Sequence, residues 1–201
     1  MEKLCRRQRF LWPLLIAVLV STPLSACAKT VRWEEGVPVN TGETVIVQRR
    51  VEYTLQGSAG NPLDIGWKPQ SSVLSFDWRG RKYRFDRHSP MVLAISPEGQ
   101  PVLLAIADVG WSAKNNYRCT IPYYIQFVPD ESGLNWTWPP AVDSAFFNLE
   151  TNLLLRYPAL EEPERRYSVA ERHAMNAEAL ARSPQLRRID PSYTGDLCRK
   201  K

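Results

Sequence analysis

The sequence predicts a mainly β protein: an antiparallel β-sandwich or barrel-like domain with a partly helical C-terminal extension. Three observations lead there. Apolar and polar residues alternate with a period of two from Val45 to Leu55, the spacing of a half-buried strand. Apolar or aromatic runs recur between turn clusters at 40–43, 80–81, 97–100 and 130–133. After Pro140 the texture changes, and Ser168 with Glu171 makes a capping box ahead of a run free of Pro and Gly.

The chain opens with a segment that is not part of this fold. Lys3, Arg6, Arg7 and Arg9 against Glu2 form a positive stretch, Phe10 to Val20 is an apolar run of 11 residues, and Ser21-Thr22-Pro23 breaks it. A membrane-spanning helix needs roughly 20 apolar residues, so this run is too short for a permanent span. Leu24-Ser25-Ala26-Cys27 follows: a branched apolar residue, two small residues and a cysteine. The segment resembles the signal of bacterial lipoproteins. That resemblance implies cleavage before Cys27, a diacylglycerol on its thiol and an acyl chain on its new amine. Ala28 stands where an aspartate would imply inner-membrane retention. The resemblance therefore implies an outer-membrane lipoprotein facing the periplasm, with an inner-membrane or soluble periplasmic protein as the alternatives. The mature region is similar to lipoproteins of Gram-negative bacteria that carry no known activity.

Residues 1–26 are thus read as a signal peptide, 27–140 as a β domain and 141–201 as a helical extension and tail. The mature 175 residues suffice for one domain with a real core. The net charge of +5 falls to about +2 once the signal's four cations and Glu2 are removed, which weakens a nucleic-acid-binding reading. Cys5 leaves with the signal. Cys119 and Cys198 remain, in a compartment where disulfides persist, and are expected to pair, with two unpaired thiols as the alternative.

Taken in order, Val31 to Val39 and Val45 to Leu55 read as two strands separated by the turn cluster at 40–43, with Arg49 an exception on the apolar face that suggests a strand end or sheet edge, a bound carboxylate being the alternative. Residues 57–62 read as a loop. Residues 74–87 read as a hairpin closed by a type II′ turn at Gly80-Arg81. That register pairs Trp78 with Tyr83 and Phe76 with Phe85 on one face, Asp77 with Arg84 on the other, and Arg79 with Lys82 beside the turn. Met91 to Ser96 and Pro101 to Ala107 form a second hairpin, apolar on both faces and so central. Tyr117 to Pro129 reads as a strand with Pro122 at an edge or bulge. Asp143 to Leu155 suggests a helix, and Ser168 to about Arg182 another, its face made of Ala170, Ala174, Ala177, Ala181 and Leu180.

The chemistry-bearing candidates are few. His88 and His173 have no partner at catalytic spacing, and neither G-x-S-x-G nor H-E-x-x-H occurs. Glu34-Glu35 and Glu161-Glu162 are adjacent pairs and read as solvated surface charge. Neither Cys119 nor Cys198 has ligand spacing for a metal, and no cofactor motif is found. The candidate binding surface is Arg79, Arg81, Lys82 and Arg84 around the hairpin turn, suited to anionic lipid or an acidic envelope partner. Trp136 and Trp138, two apart, form a candidate platform for a sugar ring or else pack into the core. The expected function is a non-catalytic, lipid-anchored envelope protein acting through binding or a structural role. A cell-envelope hydrolase and a glycan-binding module are the rivals.

Overall fold

The computed structural model describes residues 28–58, 61–86, 89–106, 124–139 and 141–193. Cys27, Cys119 and Cys198, the signal segment, His88 and Pro122 lie outside them. Among the described residues nine strands form two sheets: β1 (Ala28–Pro38), β2 (Thr44–Ser58), β3 (Asn61–Trp78), β4 (Arg81–Phe85) and β9 (Arg166–Tyr167) in one, and β5 (Val92–Ile95), β6 (Pro101–Ile106), β7 (Tyr124–Pro129) and β8 (Trp136–Thr137) in the other. The first sheet runs β4-β3-β2-β1-β9 and the second β5-β6-β7-β8. The pairing is antiparallel except for β9, which lies parallel to β1. The architecture is sandwich-like, with no closed barrel among the described residues.

The alternation of β2 explains the main core. Val45 and Val47 point inward with Leu74, Phe76, Tyr83 and Phe85 of their neighbours, and meet Leu93, Leu103, Ile125 and Phe127 of the second sheet. Each such side chain stabilises the fold by about 1.5–3 kcal/mol relative to exposure. The runs apolar on both faces are buried on both faces. The outer side of the second sheet packs Val92, Val102 and Leu104 against Phe146 and Ile189 of the C-terminal segment.

β6 is central as the sequence suggests, but β5 is an edge strand. Its free backbone groups are satisfied by two asparagine side chains. Asn152 accepts from the Leu93 N–H and donates to the Leu93 carbonyl, and Asn40 does the same at Ile95. A buried edge of this kind needs such partners, because an unpaired buried backbone group costs as much as a lost hydrogen bond.

Several expectations are corrected. Of the stretch read as a loop at 57–62, the described residues 57, 58, 61 and 62 are strand: β2 and β3 form one long ribbon, 15 and 18 residues, with Ser58 opposite Asn61. Pro69 is accommodated where the register shifts between Glu52 and Tyr53, a bulge that tolerates its missing N–H. The β3–β4 turn is Arg79-Gly80, both at positive φ (49° and 78°), a type I′ geometry. The pairs become Phe76 with Tyr83, Leu74 with Phe85 and Asp77 with Lys82. Moving the turn back by one residue shifts every partner by two, so the aromatic face stays inward. The Asp143–Leu155 helix is absent: only Ser144–Phe146 makes a 3-10 turn. Asn148 takes φ 64°, and residues 149–153 bond Met91, Arg187 and Ile189 instead. Tertiary pairing overrides helix propensity there.

The second predicted helix is present as α1 (Val169–Arg182), capped by Ser168 and Glu171 reciprocally. Its buried residues, however, are Arg172 and Asn176, four apart on one face, not the alanine face.

Candidate functional site

β4 and its turn carry the four predicted cations, and all four are exposed. None forms an ion pair with a carboxylate among the described residues. The alternation that sends Tyr83 and Phe85 inward sends Lys82 and Arg84 outward. Arg79 lies over the Trp78 ring at 5.4 Å. The turn is rigidly backed. The Trp78 indole donates to the Gly99 carbonyl at 3.0 Å, and the β4 edge donates from the Arg84 N–H to the Gly133 carbonyl at 3.0 Å. Gly133 has φ 73°, and a Cβ there would fall 2.6 Å from the Lys82 carbonyl oxygen. Only glycine permits that approach.

Arg84 also ends a polar row that crosses all five strands of the first sheet. By register, Arg166 of β9 faces Glu34 of β1, then Gln48 of β2, Ser75 of β3 and Arg84 of β4. A second row sets Arg32 beside Arg50 and Val73. These residues line a solvent-facing groove of about 520 Å³, with Arg165 and Glu164 on its wall. Most of its guanidinium groups have carboxylate partners. Arg166 donates twice to Glu34 Oε2, at 2.9 and 2.6 Å, Arg32 lies 3.5 Å from Glu164, and Arg50 and Arg165 pair with Glu52 and with Glu162 and Glu171. Arg84 has none among the described residues, so among them unpaired positive charge concentrates at the β4 end of the groove.

Opposite Glu34, on the inner side of β1, sits a cluster that the sequence reading missed. Glu35 is fully buried, not solvated, and Arg49 is 2% exposed in the centre of the sheet, not at a strand end or edge. Glu35 accepts from the Trp33 indole at 2.9 Å and from the Leu154 N–H at 2.7 Å. Arg49 lies 3.8 Å from Glu35 and 5.5 Å from the Trp33 ring centre. Its three side-chain nitrogens make no hydrogen bond among the described residues. Arg172 reaches in from α1 and donates to the Gly36 carbonyl at 2.7 Å. Burial pushes its guanidinium below its ordinary range, and the Glu35 charge opposes that shift. Asn176 joins the same helix face to the chain, accepting from the Leu155 N–H and donating to the Leu153 carbonyl. The signal available in the sequence was Arg49 itself, a charge on an apolar strand face whose partner had to be Glu35 at the same inward parity on β1.

The tryptophan platform is not built. Trp136 is 3% exposed in the main core, its indole donating to the Arg84 carbonyl at 2.7 Å, while Trp138 is 42% exposed against the edge of Phe127. Short β8 ends between them, so spacing by two does not put both rings on one open face. His173 is exposed on α1.

Among the described residues no group of three or more His, Cys, Asp and Glu is placed to hold a metal ion, and no helix is long and apolar enough to cross a membrane. Comparison with family models, curated proteins and solved structures finds no match for this chain. Fold and surface together define a two-sheet sandwich-like protein with a charge-filled inner seam and a cationic outer edge.

Proposed function

We propose that the protein is a lipid-anchored, periplasm-facing lipoprotein of the bacterial envelope, which works by binding an anionic partner and not by catalysis. The observation that carries the binding half is the β3–β4 turn and β4, where Arg79, Arg81, Lys82 and Arg84 stand exposed, without a carboxylate partner among the described residues, beside an arginine-lined groove. Guanidinium forks suit phosphate and carboxylate groups, and Gln48 and Ser75 add neutral hydrogen-bonding groups along the floor. The partner class is therefore a phosphate-bearing glycan, a lipid headgroup or an acidic protein segment. The hydrolase alternative lacks comparable support. Glu35, the one fully buried carboxylate among the described residues, has both oxygens engaged by structural donors.

The anchor rests on Leu24-Ser25-Ala26-Cys27 and the apolar run before it. In bacteria fed a fatty-acid probe, the protein should take the label and sediment with membranes, and Cys27→Ser should abolish both. Persistence of the label in that variant contradicts acylation at Cys27. For binding, vesicles containing phosphatidylglycerol, a phosphorylated glycan and an acidic peptide serve as separate probes. Wild type should retain one of them at low salt, and replacing Arg79, Arg81, Lys82 and Arg84 with glutamine should release it.

A further inference from the structure

The far end of the β2–β3 ribbon carries apolar residues that the fold leaves uncovered. Leu55 is 47% exposed and Ile65 is 59% exposed. Leu55 faces Trp67 across the ribbon, and Ile65 lies two residues from Trp67 on the same strand face. Their common face continues that of Val51 and Tyr53, but only Trp67 reaches the small cluster formed there. Among the described residues β1 does not run alongside this end: Ala28, the first of them, pairs with Thr54. From Thr54 to Gly57 the ribbon extends a further roughly 10 Å at about 3.3 Å per residue.

That register fixes where the ribbon's end stands relative to the chain's attachment point. Position 27, one peptide from Ala28, is about 3.8 Å away by covalent geometry. An acylated residue there holds Ala28 at the headgroup level of the bilayer, so a ribbon projecting past Ala28 meets the same layer. The residue types match that environment. Leu and Ile supply apolar area, Trp67 is an amphipathic ring of the kind found at membrane interfaces, and two ammonium groups flank it. Lys29 lies 4.8 Å over the Trp67 ring, and Lys68 donates to the Gly57 carbonyl at 3.2 Å. Asp64 is the single acid between Leu55 and Lys68.

We propose that Leu55, Ile65 and Trp67 at the end of the β2–β3 ribbon form a second membrane contact, resting in the phospholipid headgroup layer beside the acyl anchor. This inference rests on the anchoring reading. Its consequence is orientation. The Arg79-Gly80 turn lies at the opposite end of the 18-residue β3. A strand of that length spans roughly 55–60 Å if straight, so the cationic turn is held away from the anchoring leaflet and toward partners in the periplasm.

The test places a photoreactive benzophenone residue in the full-length protein, in place of Ile65, Leu55 or Lys82, and irradiates intact envelopes. Phospholipid adducts are expected at positions 65 and 55 and not at 82. Using two positions on facing strands guards against a fold defect at either. A protein that sediments with membranes and carries the fatty-acid label, yet yields a protein adduct or no adduct at 65 and 55, overturns the contact and leaves the anchor standing. A protein that is soluble and unlabelled overturns the anchor, and the contact with it.

Discussion

One strand, β2, passes through two kinds of interior. Its Val45 and Val47 face the second sheet in a core of aliphatic and aromatic side chains; two residues further on, Arg49 faces Glu35 and the α1 side chains in a seam of buried charge. Both regions are almost wholly buried, and they are held differently. The apolar core gains from area removed from water and from edge-to-face rings, such as Phe85 against Phe127 at 5.0 Å and Trp136 at 5.3 Å. The seam gains only while its charges remain compensated, since burying an ion costs several kcal/mol before any pairing. The first tolerates replacement in proportion to volume. The second is intolerant at one residue, Glu35, the anion shared by two cations.

Breaking that asymmetry is therefore the largest expected effect. Glu35→Ala leaves Arg49 and Arg172 buried together without a counter-charge, and should destabilise by about 3–5 kcal/mol or prevent folding. The measurement is the denaturant midpoint. A loss below about 1 kcal/mol would show that the seam is not held by this carboxylate.

In the apolar core, Leu103→Ala should cost about 2–5 kcal/mol through lost burial and the cavity left behind. Thermal unfolding of this variant calibrates the comparison. Arg49→Met sharpens it further. It removes a guanidinium without hydrogen-bond partners among the described residues and leaves Glu35 with Trp33, Leu154 and the charge of Arg172. The expected change is within about 1 kcal/mol, or a gain. A loss as large as that of Glu35→Ala would mean that Arg49, not Arg172, balances Glu35.

Ser168→Ala removes the side-chain half of the capping box and should cost about 1 kcal/mol, read from the same unfolding curves. The smallest effect is a pH dependence in the loop after β7. Hydrogen bonds from Ser132 and then Asn135 hold the Asp130 carboxyl at about 2, below its ordinary 3.8. A depressed folded-state value means a stabilisation present above 3.8 and lost as pH falls toward about 2. Asp130→Asn should flatten that part of the acid-unfolding profile.

The contrast in β2 also explains what the sequence disclosed. The alternation of Val45, Val47, Val51 and Tyr53 and the doubly apolar runs of β5 and β6 follow from local period and burial, and both are legible without partners. The capping box of α1 is local in the same way. The seam is not, because Glu35 and Arg172 are 137 positions apart and nothing near either announces the other. The same holds for Asn40 and Asn152, whose amides complete the edge of β5 from distant loops. At the surface, the four cations of β4 and its turn were legible as a cluster even though the turn was displaced by one residue. For Trp136 and Trp138 the sequence left open a sugar platform or the core, and only the packing of β8 decides that Trp136 is the ring that is covered.

The central proposal is that the cations of β4 and its turn, unpaired among the described residues, attract an anionic partner. Its most direct test is the salt dependence of association for wild type and for the variant with Arg79, Arg81, Lys82 and Arg84 all replaced by glutamine. Wild-type binding to the retained probe should fall steeply as salt rises and screening shortens to about 8 Å at physiological ionic strength. The variant should fold with the same unfolding midpoint and bind weakly at every salt concentration. Equal affinity and an equal salt slope in the two proteins would contradict the account.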